Sequence, residues 1–127
     1  MKIEYTTDSV EGEPGPNLYF MASPEECSKL ANLIHPLGET NDIEIDLTKE
    51  DWIEIVGKDS LLLRSKADGN ILMKLDGEKM IMELDNVAWR TFCIEMFAIS
   101  FYRCHNYIDF DGCDYHEDAQ IIISSEW

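Results

Sequence analysis

The chain has 127 residues, of which 26 are Asp or Glu and only 10 Lys or Arg, a formal charge of −16, while 45% are apolar and 10% aromatic. That apolar content is enough to build a core, so the acidity is not that of a disordered tail, and the length sets the expectation of a single domain over 1–127. The balance argues against direct nucleic-acid binding, since no Lys/Arg cluster exists to neutralise phosphates.

No stretch approaches the roughly 20 apolar residues of a membrane span. Residues 1–10 lack the basic and apolar regions of a secretory signal. The expected location is therefore the cytoplasm, with Cys27, Cys93, Cys104 and Cys113 as reduced thiols and no membrane contact.

Lys2 to Thr6 alternate in polarity like a short strand, and the Gly12 to Pro16 cluster ends it. Leu18 to Met21 read as a buried strand that enters a helix. Ser23 with Glu26 forms a capping box, Pro24 sits where a missing N–H is harmless, and Cys27, Leu30, Leu33, Ile34 and Leu37 make one apolar stripe that Pro36 and Gly38 stop. From Asp42 the period becomes two, predicting strands over Ile43–Leu47 and Trp52–Val56. Further strands follow turns at 57–60, 67–70 and Asp76-Gly77, the last a hairpin signal because both central residues of such a turn need positive φ.

Asp85 or Asn86 caps a second predicted helix that runs to about Tyr102. Trp89, Phe92, Cys93, Met96 and Phe97 face one side, and Ile94, Ala98, Ile99 and Phe101 make the other side apolar too. Such a helix is expected either under a further layer of the domain or in a homodimer interface. Tyr107–Phe110 and Ala119–Ser125 read as closing strands around an acidic turn. The predicted fold class is thus α+β, an antiparallel β-meander sheet with two main helices packed on it. The order strand, capped helix, strands occurs at 18–65 and again at 80–125, a faint internal duplication.

His105, Asp109, Asp111, Cys113, Asp114, His116, Glu117 and Asp118 are metal-ligand types crowded into one segment. They match neither the spacing of a zinc site nor that of a calcium loop, so no metal and no cofactor is expected. No nucleophile elbow, phosphate loop or dinucleotide fingerprint occurs, and no motif pairs His35, His105 or His116 with a nucleophile. No catalytic residue is assigned. The alternative from this segment is a metal-dependent enzyme using the 105–118 cluster.

The acidity is concentrated in two regions, one from Glu39 to Asp59 and one after Arg103, where no cation follows. Carboxylates beside exposed aromatics make the anchor-and-rim composition of protein interfaces, and Tyr115 sits among polar neighbours. The candidate binding residues are Glu44, Asp46, Asp51, Glu54, Asp109, Asp111, Asp114, Tyr115, Glu117 and Asp118. In size, acidity, the strand and capped-helix order through Asn17–Leu47 and the His105–Phe110 segment, the chain resembles the small acidic immunity proteins of bacterial polymorphic-toxin and contact-dependent growth-inhibition systems. That resemblance implies one cognate toxin domain as partner, basic and possessing an active site or exosite to be covered. The alternative among binding proteins is an acidic nucleic-acid mimic that inhibits a DNA-processing enzyme.

Overall fold

Local signals set the helices. In the computed structural model, which describes residues 1–9, 12, 17–101, 105–108, 114–115 and 120–124, α1 spans Pro24–Ile34 behind an N-cap at Ser23. Ser23 Oγ accepts from the Glu26 amide at 3.2 Å while Glu26 Oε1 accepts from the Ser23 amide at 3.0 Å, so two orphan helix donors are satisfied. A 3-10 turn at His35–Gly38 follows. The second helix, α2, spans Asn86–Phe101, and Asp85 Oδ1 caps it by accepting from the Ala88 amide at 2.8 Å.

Among the described residues ten strands accompany these helices: β1 Lys2–Thr6, β2 Asn17–Met21, β3 Glu44–Asp46, β4 Glu54–Val56, β5 Ser60–Ser65, β6 Asn70–Asp76, β7 Lys79–Leu84, β8 His105–Ile108, β9 Asp114–Tyr115 and β10 Gln120–Ser124. They form two five-stranded sheets, ordered β4-β1-β2-β10-β8 and β3-β5-β7-β6-β9. The mixed α+β class agrees with the sequence expectation, but a single antiparallel meander does not. Pairs β1–β4, β2–β10, β5–β7 and β6–β9 are parallel, the remaining neighbours antiparallel.

The reason lies in the turn at 66–69. A meander would lay β6 beside β5, yet the amide of Lys66 donates to Leu84 O and the amide of Asp85 to Gly69 O, so this turn wraps the end of β7. A Cβ on Gly69 would stand 2.7 Å from the Leu84 carbonyl carbon, which is why a glycine makes the crossing. β6 therefore emerges on the far side, and β7 lies between β5 and β6. The hairpin from β6 to β7 forms, but one residue later than expected: Asp76 ends β6 and pairs with Lys79, so the two loop residues are Gly77 and Glu78, and only Gly77, at φ 61°, has the positive φ expected of both central residues.

The two halves of the chain have one topology. Each runs strand, strand, helix, strand, strand, strand, and β1, β2, α1, β3, β4 and β5 correspond in order to β6, β7, α2, β8, β9 and β10. Every strand pairing in one sheet has its counterpart, with the same sense, in the other. Each half gives strands to both sheets, so the halves are interlaced. Buried positions correspond as well: Cys27, Leu30, Ala31 and Ile34 of α1 match Trp89, Phe92, Cys93 and Met96 of α2.

One apolar core is shared by both sheets and both helices. It includes Ile3, Leu18, Phe20, Leu30, Ile34, Leu61, Leu63, Met80, Met82, Trp89, Phe92, Met96, Ile121 and Ile123. Phe92 meets both Phe20 and Trp89 edge-on at centroid distances of 5.9 and 5.6 Å. The Trp89 indole N–H donates to Arg64 O at 2.7 Å, so the largest core side chain leaves no polar atom unpaired. Among the described residues no further layer covers the second face of α2: Val87, Ile94 and Phe101 are 66%, 66% and 78% exposed, whereas Ile99, expected on that face, is buried with the inner one. The expectation that another part of this domain covers it is corrected.

Candidate functional site

The first acidic region does not form one face. Glu44 and Asp46 lie on β3, an edge strand of one sheet, whereas Glu54 lies on β4, an edge strand of the other. Short edge strands bearing charge are how sheets avoid adding a foreign strand, and both β3 and β4 are three residues long.

Charges on the β3 side are largely matched. Glu44 Oε2 accepts from Arg64 Nε at 2.6 Å across the β3–β5 pair, and Arg64 Nη1 stands 4.0 Å from Glu83 Oε2 on β7. Lys66 Nζ lies 3.6 Å from Asp42 Oδ1. These groups, with Ile43 and Ser65, line a depression of about 310 Å³. Asp46 acts locally, where its carboxylate accepts from the Thr48 amide at 2.9 Å and caps the 3-10 turn Leu47–Lys49. Glu44 and Asp46 therefore serve the fold first.

Charges on the β4 side are open. Asp51, in the turn before β4, and Glu54 are exposed, and among the described residues no ion pair engages either. Trp52 between them is half-buried, with Lys29 Nζ 4.3 Å above its ring. Sequence reasoning places Trp52 in a strand and misses it as an aromatic beside two free carboxylates; its isolation between Asp51 and Glu54 is the available signal. Glu54 also lines a depression of about 440 Å³ with Met1, Lys2, Met21, Ala22, Ser23 and Glu26. Burial acts to raise the Glu26 carboxyl, but the Met1 ammonium and the bonds from Ser23 outweigh it and hold the group below the usual carboxylate range.

In the second acidic region, Asp114 and Tyr115 form β9, which pairs in parallel with β6 at the edge of its sheet. Asp109, Asp111, Glu117 and Asp118 lie outside the described residues, as do Cys104, Cys113, His116 and Trp127. β9 corresponds to β4 in the duplicated topology, with Asp114 and Tyr115 matching Glu54 and Ile55 by register. An acidic residue thus opens the equivalent edge strand in both sheets. Sequence reasoning puts these two residues in a turn, because a two-residue strand shows no period.

Among the described residues no group of three His, Cys, Asp or Glu side chains converges as metal ligands would. His35 is exposed, its Nε2 3.9 Å from Glu39 Oε1. Cys27 and Cys93 are free and buried. Burial pushes the Cys93 thiol up to about 11, and its Sγ lies 3.8 Å from Ala31 O between the helices, the opposite of an activated nucleophile. No helix among the described residues is long and apolar enough to cross a membrane. Comparison with family models, with curated proteins and with solved structures finds no match to this chain.

Proposed function

We propose that this protein is a binding protein that neutralises a basic partner, an immunity protein whose acidic surface covers the active site or a neighbouring exosite of a cognate bacterial toxin domain. The observation that carries the reading is the charge of −16 on a well-packed domain. A soluble domain needs a net charge of only about 2 to 8 to stay dispersed, and the excess costs self-repulsion that a cationic partner relieves. The unpaired carboxylates Asp51 and Glu54, flanking Trp52, support the same reading: rim charges steer encounter and an aromatic supplies residence time. Glu44 and Asp46, already engaged within the fold, rank below them, and Asp114 and Tyr115 form the matching edge on the other sheet.

The test is protection in cells. The adjacent reading frames are searched for a toxin domain, which is then expressed with the parent or with an Asp51→Asn/Glu54→Gln variant. Protection by the parent, weakened in the folded variant, supports the reading; a parent that gives no protection overturns it.

A further inference from the structure

The duplicated topology supplies an internal control for the outer face of α2. Val87, Thr91, Ile94, Ala98 and Phe101 are all exposed and form one stripe down the helix. The equivalent stripe on α1 and its following turn is Glu25, Lys29, Asn32, Pro36 and Glu39, also exposed throughout. Both helices bury the corresponding inner residues and pack against each other. The position in the fold therefore accepts a polar face, and the first half has one. Nothing about packing among the described residues calls for Val, Ile and Phe on α2. Large exposed apolar side chains in a contiguous row mark a contact surface.

The stripe also identifies its occupant. Its spacing alternates four and three, the seam of a paired helix, with Val87, Ile94 and Phe101 at d positions and the small Thr91 and Ala98 at a. Arg90 and Glu95 then fall at g and e. In two parallel helices g of one faces e of the next heptad of the other, five residues on, and that is the separation of Arg90 and Glu95. A second copy of the same helix thus places each Arg90 against the partner's Glu95, making two such pairs by symmetry. Glu95 is engaged within its own chain, but a carboxylate offers several acceptor sites. Arg90 bonds Asn86 O through Nε at 3.3 Å and has its terminal nitrogens to offer. The rest of the surface opposes self-association, since each copy carries −16; α2, with one cation and one anion, is neutral.

We infer that the protein is a homodimer whose two α2 helices pair in parallel along Val87, Thr91, Ile94, Ala98 and Phe101. This surface is distinct from the acidic edges and leaves them open to a partner. A seam of about 21 Å, from about 1.5 Å per residue, is short beside a standard interface of roughly 800 Å² per partner, so the dimer is expected to dissociate on dilution.

Sedimentation equilibrium from about 5 µM to about 500 µM tests this on the whole chain. The parent should shift from monomer to dimer, and more strongly as salt rises from about 0.1 M to about 1 M, because the Debye length falls from about 10 Å to about 3 Å and the repulsion of like copies with it. Ile94→Asp, on an exposed site and checked for folding by circular dichroism, should remain monomeric throughout. Arg90→Glu should weaken the dimer, and the Arg90→Glu/Glu95→Arg exchange should restore it, as parallel pairing requires. A parent that stays monomeric overturns the inference, including where the stripe proves to hold a different protein. A dimer indifferent to Ile94→Asp overturns it equally, and failure of the double exchange overturns the parallel arrangement.

Discussion

Gly57, between β4 and β5, is where the interlaced topology is most open to a single-atom test. It has φ +87°, and a Cβ there would stand 2.3 Å from the carbonyl oxygen of Tyr5 in β1. Replacing it with alanine carries two costs. The left-handed backbone costs roughly 1 to 2 kcal/mol for a residue with a side chain, and the collision is with backbone, so β1 and β4 must part near Glu4↔Val56. Losing one or two ladder bonds adds about 1 kcal/mol each. Gly77→Ala is the control, because Gly77 has φ +61° with nothing within 4 Å of the added carbon; only the backbone term applies. Urea unfolding should therefore show Gly57→Ala losing about 2 to 4 kcal/mol and Gly77→Ala about 1 to 2 kcal/mol. Equal losses would mean that β4 does not lie against β1, and the parallel pairing would be refuted.

Three further outcomes follow from the same contacts. Cys27 and Cys93 should resist alkylation in the native protein at pH 8 and react fully in denaturant, read by peptide mass mapping; rapid native labelling of Cys93 would contradict its burial. Ser23→Ala and Asp85→Ala should each cost about 1 kcal/mol in urea unfolding, since each deletes a helix cap, and a neutral result at either would remove that cap from the account. Glu26 has a lowered carboxyl pKa in the fold, so its contribution is present above the unfolded carboxylate value and is lost as pH falls through the folded one. Glu26→Gln should flatten the acid side of the stability profile, and an unchanged profile would show that the Met1 and Ser23 contacts do not hold the charge.

Both helices are legible in the sequence because capping and periodicity are local: Ser23, Glu26 and Asp85 act within one turn, and the apolar stripes follow a fixed period. The hairpin between β6 and β7 is legible for the same reason, through Gly77, although its loop is Gly77-Glu78 and not Asp76-Gly77. Strand order is not. Whether β6 lies beside β5 depends on the path of residues 66–69 around Leu84, a contact between distant parts of the chain that leaves no pattern except a glycine. The duplicated order of elements shows faintly in the sequence, yet the exchange of strands between sheets does not, since parallel pairs join residues as far apart as Leu18 and Ile121. Acidic residues that read as one cluster split between two sheet edges, because Glu44 and Glu54 are separated by a 3-10 turn that carries the chain from one sheet to the other. Which carboxylates are internally paired also depends on the fold: nothing local in the sequence matches Arg64 to Glu44. The apolar second face of α2 is visible in the sequence, and only the structure shows that no part of the described chain covers it.

The central claim is that unpaired carboxylates bind a basic partner, and the salt dependence of that binding tests it most directly. The proposed partner, a basic toxin domain to be sought in the adjacent reading frames, is titrated with the parent and with Asp51→Asn/Glu54→Gln at about 0.1 M and about 1 M salt. The account predicts that the parent's association rate falls steeply with salt and that the variant associates more slowly at low salt with a flatter dependence. Binding of equal rate and equal salt response in the two proteins, or no binding at all, would contradict it.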